Sequence, residues 1–572
     1  MTMTLDPCLS RRDMMAGAAA LAAAAPVSSL AAKALTVPAQ AKAPGQEAVK
    51  GVVYESRSGA PRRQAGDPGL PGVLVSNGRD AVRTAADGSY ILPIEEGAAV
   101  FVIKPAGFSV PLDTETKLPR FSYIHQPGGT PAVLDLLYPG LPPAGPLPQS
   151  LDFGLVRSEE PERFDVLLFA DPQPESHAEI DFIREDIVNG LIGTNAAFGI
   201  TAGDIMFDDL SLYGRYNKII GQIGIPWWNI GGNHDLNFEA PDSRFSRETY
   251  KRVFGAPYYA FEYGNALFLM LDNVEYSGAD PAKPRRAGKF RGFFGERQLA
   301  FIANVLKETP PERLIVAVMH IPLRNYLDPS DPSMNVADRA EFLALLSGRK
   351  SVSFAGHTHT TEHHYFAQAE GFLGPRPHHH HVLTAVSGSW WSGPLDRRGI
   401  ASADSRDGTP HGFHILSIDG DSYTTRFVPA NEPDARQMRI SLDADFHFGK
   451  DIFRDFRAGQ LRASPLRKDQ LGSAMLVVNV FDGGPRTVAE YRIGAFGPVP
   501  MKQQARPDPF AEEVFARNKE TVKPWVKAEP SSHIWTARLP GSLEAGAHAI
   551  DVRATDEYGR IHHGRMVLEV VA

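Results

Sequence analysis

Cysteine is almost absent from this 572-residue chain: the only one, Cys8, precedes an alanine-rich apolar stretch. A lipoprotein anchor needs its cysteine at the cleavage site, beyond such a stretch, so lipid attachment is not expected. Past that segment there is no thiol for disulfides or redox chemistry, and packing and bound ions must supply the stability. Long uninterrupted apolar runs are missing too. The apolar segment AGAAALAAAAPVSSLAA is broken by Pro26 and by polar residues, so no membrane span is expected. Neither sign of charge dominates, with 59 Lys and Arg against 67 Asp and Glu, and a net charge of −8 argues against a nucleic-acid-wrapping role. No repeat of solenoid period recurs. What remains is an ordinary globular composition, 43% hydrophobic and 22% charged, on a chain too long for one core. Three domains are the natural expectation.

Residues 1–34 read as an export signal. Ser10-Arg11-Arg12-Asp13-Met14-Met15 leads into the apolar stretch, and Ala32-Lys33-Ala34 offers a small-x-small cleavage site. Paired arginines before a weakly hydrophobic core resemble a twin-arginine signal, with an ordinary secretory signal as the second reading. Either places the mature protein in the periplasm or outside the cell. Residues 35–48, rich in Ala, Pro and Gln, read as a linker.

Residues 49–157 show short strands (KGVVYE, GVLVSN, SYILPI, AVFVIKP) separated by Gly, Pro and Asp turns, the spacing of a β-sandwich. The run GVLVSNGRDAVRTAADGSYILP resembles the transthyretin-like or carboxypeptidase-regulatory sandwich. Residues 431–572 return to strand patterns (SAMLVVNVFD, SHIWTARL, AHAIDVRATDEYGR) and read as a second, immunoglobulin-like sandwich. Between them, residues 160–430 alternate apolar strands with amphipathic stretches such as AEIDFIREDIVNGLI and GERQLAFIANVLKE. YYAFEYGNALFLMLDN reads as a hairpin turning at Gly264-Asn265.

Five polar segments in that central region each follow an apolar run. They are Asp171-Pro172-Gln173 after FDVLLFA, Gly203-Asp204 after AAFGITA, Gly232-Asn233-His234-Asp235 after IPWWNIG, His320 after RLIVAVM, and Gly356-His357-Thr358-His359 after KSVSFA. Such runs predict buried strands, and groups just beyond them converge at the sheet's carboxyl edge. Carboxylate, amide and imidazole donors without thiolate suit hard or borderline divalent metals.

The order and content of these segments resemble the calcineurin-like metallophosphoesterase family over about residues 160–430, with Gln173 standing where that family usually has His. The resemblance implies a central α/β/β/α sandwich flanked by the two β-sandwiches. It implies two divalent metals (Mn²⁺, Zn²⁺ or Fe²⁺), one held by Asp171, Gln173, Asp204 and His359 and the other by Asp204, Asn233, His320 and His357. It implies hydrolysis of a phosphate mono- or diester by metal-bound hydroxide, with Asn233 and His234 holding the phosphoryl group and His234 protonating the leaving oxygen. The expected partner is a small phosphorylated substrate, with envelope lipid or glycan derivatives in view. Phe207 stands where purple acid phosphatases carry a tyrosine that ligates iron, which sets that variant aside.

The acid that orients His234 is open between Asp235 and Asp208. Arg324 is a candidate for a phosphate oxygen. Trp390 and Trp391 are candidates for an apolar platform beside the metals. The run His378 to His381 is expected at the surface or in a lid rather than as a third metal site. The competing reading is a ligand-binding protein of the cell envelope, in which Gln173 weakens the metal site and the sandwiches carry the function. The two readings separate on whether Gln173 reaches the centre.

Overall fold

The apolar runs become strands because Val, Ile and Phe suit a pleated surface buried on both faces. In this computed structural model, which describes residues 47–443 and 465–572 except 61, 281, 283–287 and 375, they lie in two central sheets. The first sheet runs, in spatial order, Trp227–Ile230, Phe198–Ala202, Arg163–Phe169, Gly412–Asp419 and Ser422–Pro429. Its first three strands are parallel and the last two antiparallel. The second sheet runs Tyr259–Tyr263, Ala266–Met270, Leu314–Val318, Ser351–Ala355, His378–Val382 and Glu362–Phe366. The expected hairpin is there, with Tyr263 opposite Ala266 and Gly264 at a φ of 54°.

Period-two alternation decides which layer each side chain joins. Val166 and Leu168 enter the core between the sheets with Phe198, Ile200, Phe261 and Phe268. Leu167 and Phe169 face the other way, against Ile180, Ile183, Tyr213, Tyr216 and Ile220 of the helical layer. Those residues lie on helices His177–Ile183 and Tyr213–Ile220, the first capped by the Ser176 hydroxyl, which accepts from the Glu179 N–H. Helices Gly295–Glu308 and Arg339–Leu346 cover the second sheet through Phe301, Ile302, Val305, Phe342 and Leu346. The layers are α/β/β/α. Each fully buried Val, Leu or Phe in them contributes about 1.5–3 kcal/mol of transfer free energy.

Two four-stranded sheets, one containing Ala48–Glu55 and the other Leu74–Ser76, lie before this core in the chain. Lys104 joins them to it: its ammonium, buried with Glu160, also donates to the Glu262 carbonyl at 2.6 Å. After it come a four-stranded and a five-stranded sheet packed around Leu476, Val478, Trp535, Ile550 and Leu568. Residues Pro44–Ala572 form one compact unit. The export signal and nearly all of the linker lie outside the described residues. Among the described residues, no helix is long and apolar enough to cross a membrane.

One expectation is overturned. His378 to His381 form a strand with neighbours on both sides, and their exposures are 0, 3, 0 and 0%. They are interior, not surface or lid. His378 and His380 are held by the Ser351 and Ser353 hydroxyls, while the His379 and His381 rings approach Tyr423 and His414 of the first sheet.

Candidate metal centre

Parallel strands deliver the five segments to one edge. Asp171, Asp204 and Asn233 follow neighbouring strands of the first sheet, and His320 and His357 follow neighbouring strands of the second. The loops are stitched together by backbone bonds from Asp171 N–H to Gly203 O and from Gln173 N–H to Asp204 O, both 3.3 Å. Glycines beside the ligands leave the room. A Cβ on Gly232 would sit 2.1 Å from Asp204 Oδ1, and one on Gly356 would sit 2.2 Å from Asp171 Oδ2.

The backbone is strained where the ligands are. Of eleven non-glycine residues with positive φ among the described residues, eight belong to this region: Asp171, Gln173, Asp204, Asp208, His357, His359, Trp390 and Trp391. Left-handed conformations in such residues persist only where the surroundings enforce them, and they cluster at functional sites.

Three imidazoles are fixed by backbone carbonyls. His320 Nδ1 lies 3.0 Å from Ala202 O, His357 Nε2 lies 3.0 Å from Ser333 O, and His359 Nδ1 lies 2.5 Å from Gly388 O. A carbonyl only accepts, so each of these nitrogens carries the proton and the other nitrogen of each ring is left for the site. That arrangement is how proteins orient histidine ligands. The left-over nitrogens meet polar partners. His320 Nε2 is 3.2 Å from Asp204 Oδ1, 3.1 Å from Asn233 Oδ1 and 3.2 Å from His357 Nδ1. His359 Nε2 is 3.8 Å from Asp171 Oδ1. Ligand atoms of Asp204, His320 and His357 all fall within 4.8 Å of one another.

Gln173 reaches the same centre. Its amide nitrogen donates to Asp204 Oδ2 at 2.8 Å, and its oxygen is buried without any hydrogen-bond partner. An orphaned buried acceptor is costly, and a cation would relieve it. Gln173 therefore reaches the centre, which counts against the ligand-binding reading in which it weakens the metal site.

Electrostatics agree with a missing positive charge. Burial, with the Asp204 carboxylate nearby, pushes Asp171 up to about 7. Burial also opposes charge on Asp204, but His320 and His234 outweigh it and hold that carboxyl below its usual range. His320 rises against burial to about 9 because Asp204 is beside it, whereas burial drives His357 and His359 down to about 3. A cation between Asp204 and these rings would take the place of the His320 proton. The donor set therefore fits two divalent ions.

His234 stands at the rim, with its side chain 26% exposed. Its Nδ1 lies 2.6 Å from Asp208 Oδ1, so Asp208 is the orienting acid. Desolvation opposes protonation, yet Asp204 and Asp208 raise His234 to about 9. Asp235, the other candidate for the acid beside His234, is fully buried and accepts from the Ile205, Met206 and Gly232 N–H groups and from the Tyr213 hydroxyl. It holds the loops and does not face the centre.

The other substrate candidates divide. Trp390 stacks on His359 with centroids 3.9 Å apart, and its indole nitrogen is buried without a partner. Trp391 instead donates to Pro172 O at 3.1 Å and packs in the core against Phe182 and His411. Arg324 lies over the Phe366 ring, 3.9 Å from Glu370, so its charge is spent on a surface acid. Sequence reading missed three residues of the rim. Phe207 stacks on His234 at 4.6 Å, Trp525 stacks on Phe207 at 6.0 Å, and the Lys523 ammonium lies 4.9 Å over Phe207 and 3.1 Å from Glu175. An exposed tryptophan among prolines and lysines, KPWVKAEP, was the available signal.

Comparison with known proteins names the class. Residues 58–135 match the family model for the N terminal of calcineurin-like phosphoesterase, and residues 380–562 match that for its C terminal. The metal-site segments lie between the two. The chain thus matches both terminal regions of calcineurin-like phosphoesterases, on either side of its metal-site segments, which supports a metal-dependent phosphoric ester hydrolase. Among solved structures it is similar to a dimetal phosphatase from Danio rerio, at 18% identity and a TM-score of 0.32, covering 47% of this chain and 97% of that one. It is also similar to a purple acid phosphatase from yellow lupin seeds, at 12% identity and a TM-score of 0.31, covering 63% and 67%. No curated protein matches the chain.

Proposed function

We propose that the protein is exported and hydrolyses a small phosphate mono- or diester at a two-metal centre held by Asp171, Gln173, Asp204, Asn233, His320, His357 and His359. The observation that carries this reading is the carbonyl anchoring of three imidazoles whose remaining nitrogens face buried carboxylates. Two divalent ions bound there would supply an activated water and charge to balance the phosphoryl oxygens.

The chain's own groups do the rest. His234, protonated and held by Asp208, donates a proton to the departing ester oxygen. Asn233 offers its amide N–H groups to a phosphoryl oxygen while its oxygen faces His320. Asp204 accepts the His234 backbone N–H at 2.9 Å, which sets the loop that carries the acid. Trp390, Phe207 and Trp525 form an aromatic wall against which the alcohol part of the ester rests.

The test is turnover of paired aryl phosphate mono- and diesters by the mature chain, with metals counted by elemental analysis. Loss of activity in Asp204→Asn and a marked fall in His234→Ala support the reading. No turnover after reconstitution with Mn²⁺, Zn²⁺ or Fe²⁺ counts against it.

A further inference from the structure

We propose that His363, His381, His414 and Asp482 form a third cation site, for zinc or a similar borderline divalent ion, which is structural in role and pins the C-terminal sandwich to the central sheets. It is separate from the catalytic centre and does not depend on the function proposed above.

The four residues come from four segments. His363 lies on strand Glu362–Phe366 and pairs directly opposite His381 on the adjacent strand. His414 lies on a strand of the other central sheet, and Asp482 follows strand Met475–Val480 of the C-terminal sandwich. The three ring Nε2 atoms sit 3.2, 3.0 and 3.3 Å from one oxygen, Asp482 Oδ1. All three histidines are 0% exposed and Asp482 is 8%. The His363 and His381 rings are 4.0 Å apart, and His381 and His414 are 4.8 Å apart at 85°.

Hydrogen bonding alone serves this cluster poorly. One carboxylate oxygen has two lone pairs, yet three nitrogens crowd it. The geometry leaves His381 Nε2 with no hydrogen bond, and His414 Nδ1 is buried with none either. One proton on His363 pairs that ring with Asp482 but leaves His381 Nε2 and His414 Nδ1 without partners, and a second imidazolium that close would be repelled strongly in a dry site. A cation does resolve it. Zinc bonds of about 2.0–2.1 Å in a tetrahedron place neighbouring donor atoms about 3.3 Å apart. The nitrogen-to-oxygen separations here are of that size.

The surroundings also suit a metal. His363 Nδ1 is 2.9 Å from His379 Nε2, and His379 Nδ1 is 2.9 Å from the Tyr423 hydroxyl. That relay lets Nδ1 of His363 keep its proton while Nε2 faces Asp482, the outer support that histidine ligands use. Imidazole and carboxylate donors without thiolate favour a borderline ion. Ligand atoms of His363, His381 and Asp482 lie within 4.8 Å of one another, with His414 Nε2 3.3 Å from Asp482 Oδ1 as the further donor, and the burial of all four residues marks a structural rather than a catalytic ion.

The experiment counts zinc in the full mature chain by elemental analysis after removal of loose metal. Wild type is expected to hold three ions. The catalytic-centre variant Asp171→Asn/Asp204→Asn/His320→Ala is expected to keep one. His414→Gln and Asp482→Asn, each in the otherwise intact chain, are expected to hold one ion fewer than wild type. A folded catalytic-centre variant with no zinc, or His414→Gln and Asp482→Asn chains with the wild-type count, would overturn the proposal. Should those variants fail to fold, wild type produced with Co²⁺ decides. Intense visible bands of tetrahedral cobalt at saturation support the site, and their absence refutes it.

Discussion

The indole of Trp525 lies parallel to the ring of Phe207, with centroids 6.0 Å apart and planes 4° apart, and so brings the C-terminal region to the rim of the metal centre. Trp525 is 47% exposed, and Phe207 continues the stack onto His234. A large exposed indole next to the site is a contact for the organic part of the ester. Stacking of this kind contributes about 1 kcal/mol, or about fivefold in affinity. Trp525→Ala is expected to raise KM about fivefold for aryl esters and to leave the metal count unchanged. Steady-state kinetics with aryl and small alkyl phosphate esters checks this. Equal losses on both classes would remove Trp525 from the binding surface.

His234 is raised to about 9 against its burial, first by Asp204 and then by Asp208. A group that acts as an acid works while protonated, so activity falls as pH rises through its pKa. Removing the Asp208 charge lowers that pKa, and bound cations lower it in both forms. In Asp208→Asn the alkaline limb of the pH–rate profile is therefore expected to move to lower pH, with kcat reduced about 10- to 100-fold. A profile whose alkaline limb stays in place would mean that His234 is not the acid.

The sequence made the strand ends legible because buried strands are apolar on both faces and their ligands follow within two or three residues. Asp171, Asp204, Asn233, His320 and His357 needed only that local pattern. The orienting acid was not legible from neighbours in the chain. Asp235 adjoins His234 but turns inward to four donors, while Asp208 arrives from another loop. The buried histidine strand was misread for a related reason. Four polar residues in a row read as a wet surface unless partners wait in other elements, and here Ser351, Ser353, Tyr423 and Asp482 supply them. Trp525 and Lys523 reach the site only through packing of a separate sandwich, which no local pattern encodes.

Metal affinity should depend on pH in a definite sense. Without metal, Asp171 is raised by burial to about 7 and His320, against burial, by Asp204 to about 9. Both must lose a proton to bind a cation, so protons compete with the ions over that range. Affinity is expected to rise as pH increases from about 6 to 9, and acid is expected to strip the metals reversibly. Calorimetric titration of the chelator-treated chain in buffers of different ionisation enthalpy measures the proton release directly. Binding that is independent of pH over this window would contradict the ligand assignment.

Gln173 supplies the sharpest single substitution. Its amide contacts the Asp204 carboxylate at 2.8 Å, its oxygen is orphaned, and its backbone already has a φ of 38°. Histidine is among the residues that tolerate such a conformation, and its imidazole binds zinc or iron more tightly than an amide oxygen does. Gln173→His is expected to strengthen the first site about tenfold or more, whereas Gln173→Ala removes a ligand and weakens it by about 10- to 100-fold. Competition against a coloured chelator reports both. If neither variant changes metal retention, Gln173 acts only as a hydrogen-bond donor to Asp204, and the first ion is held by Asp171, Asp204 and His359 alone.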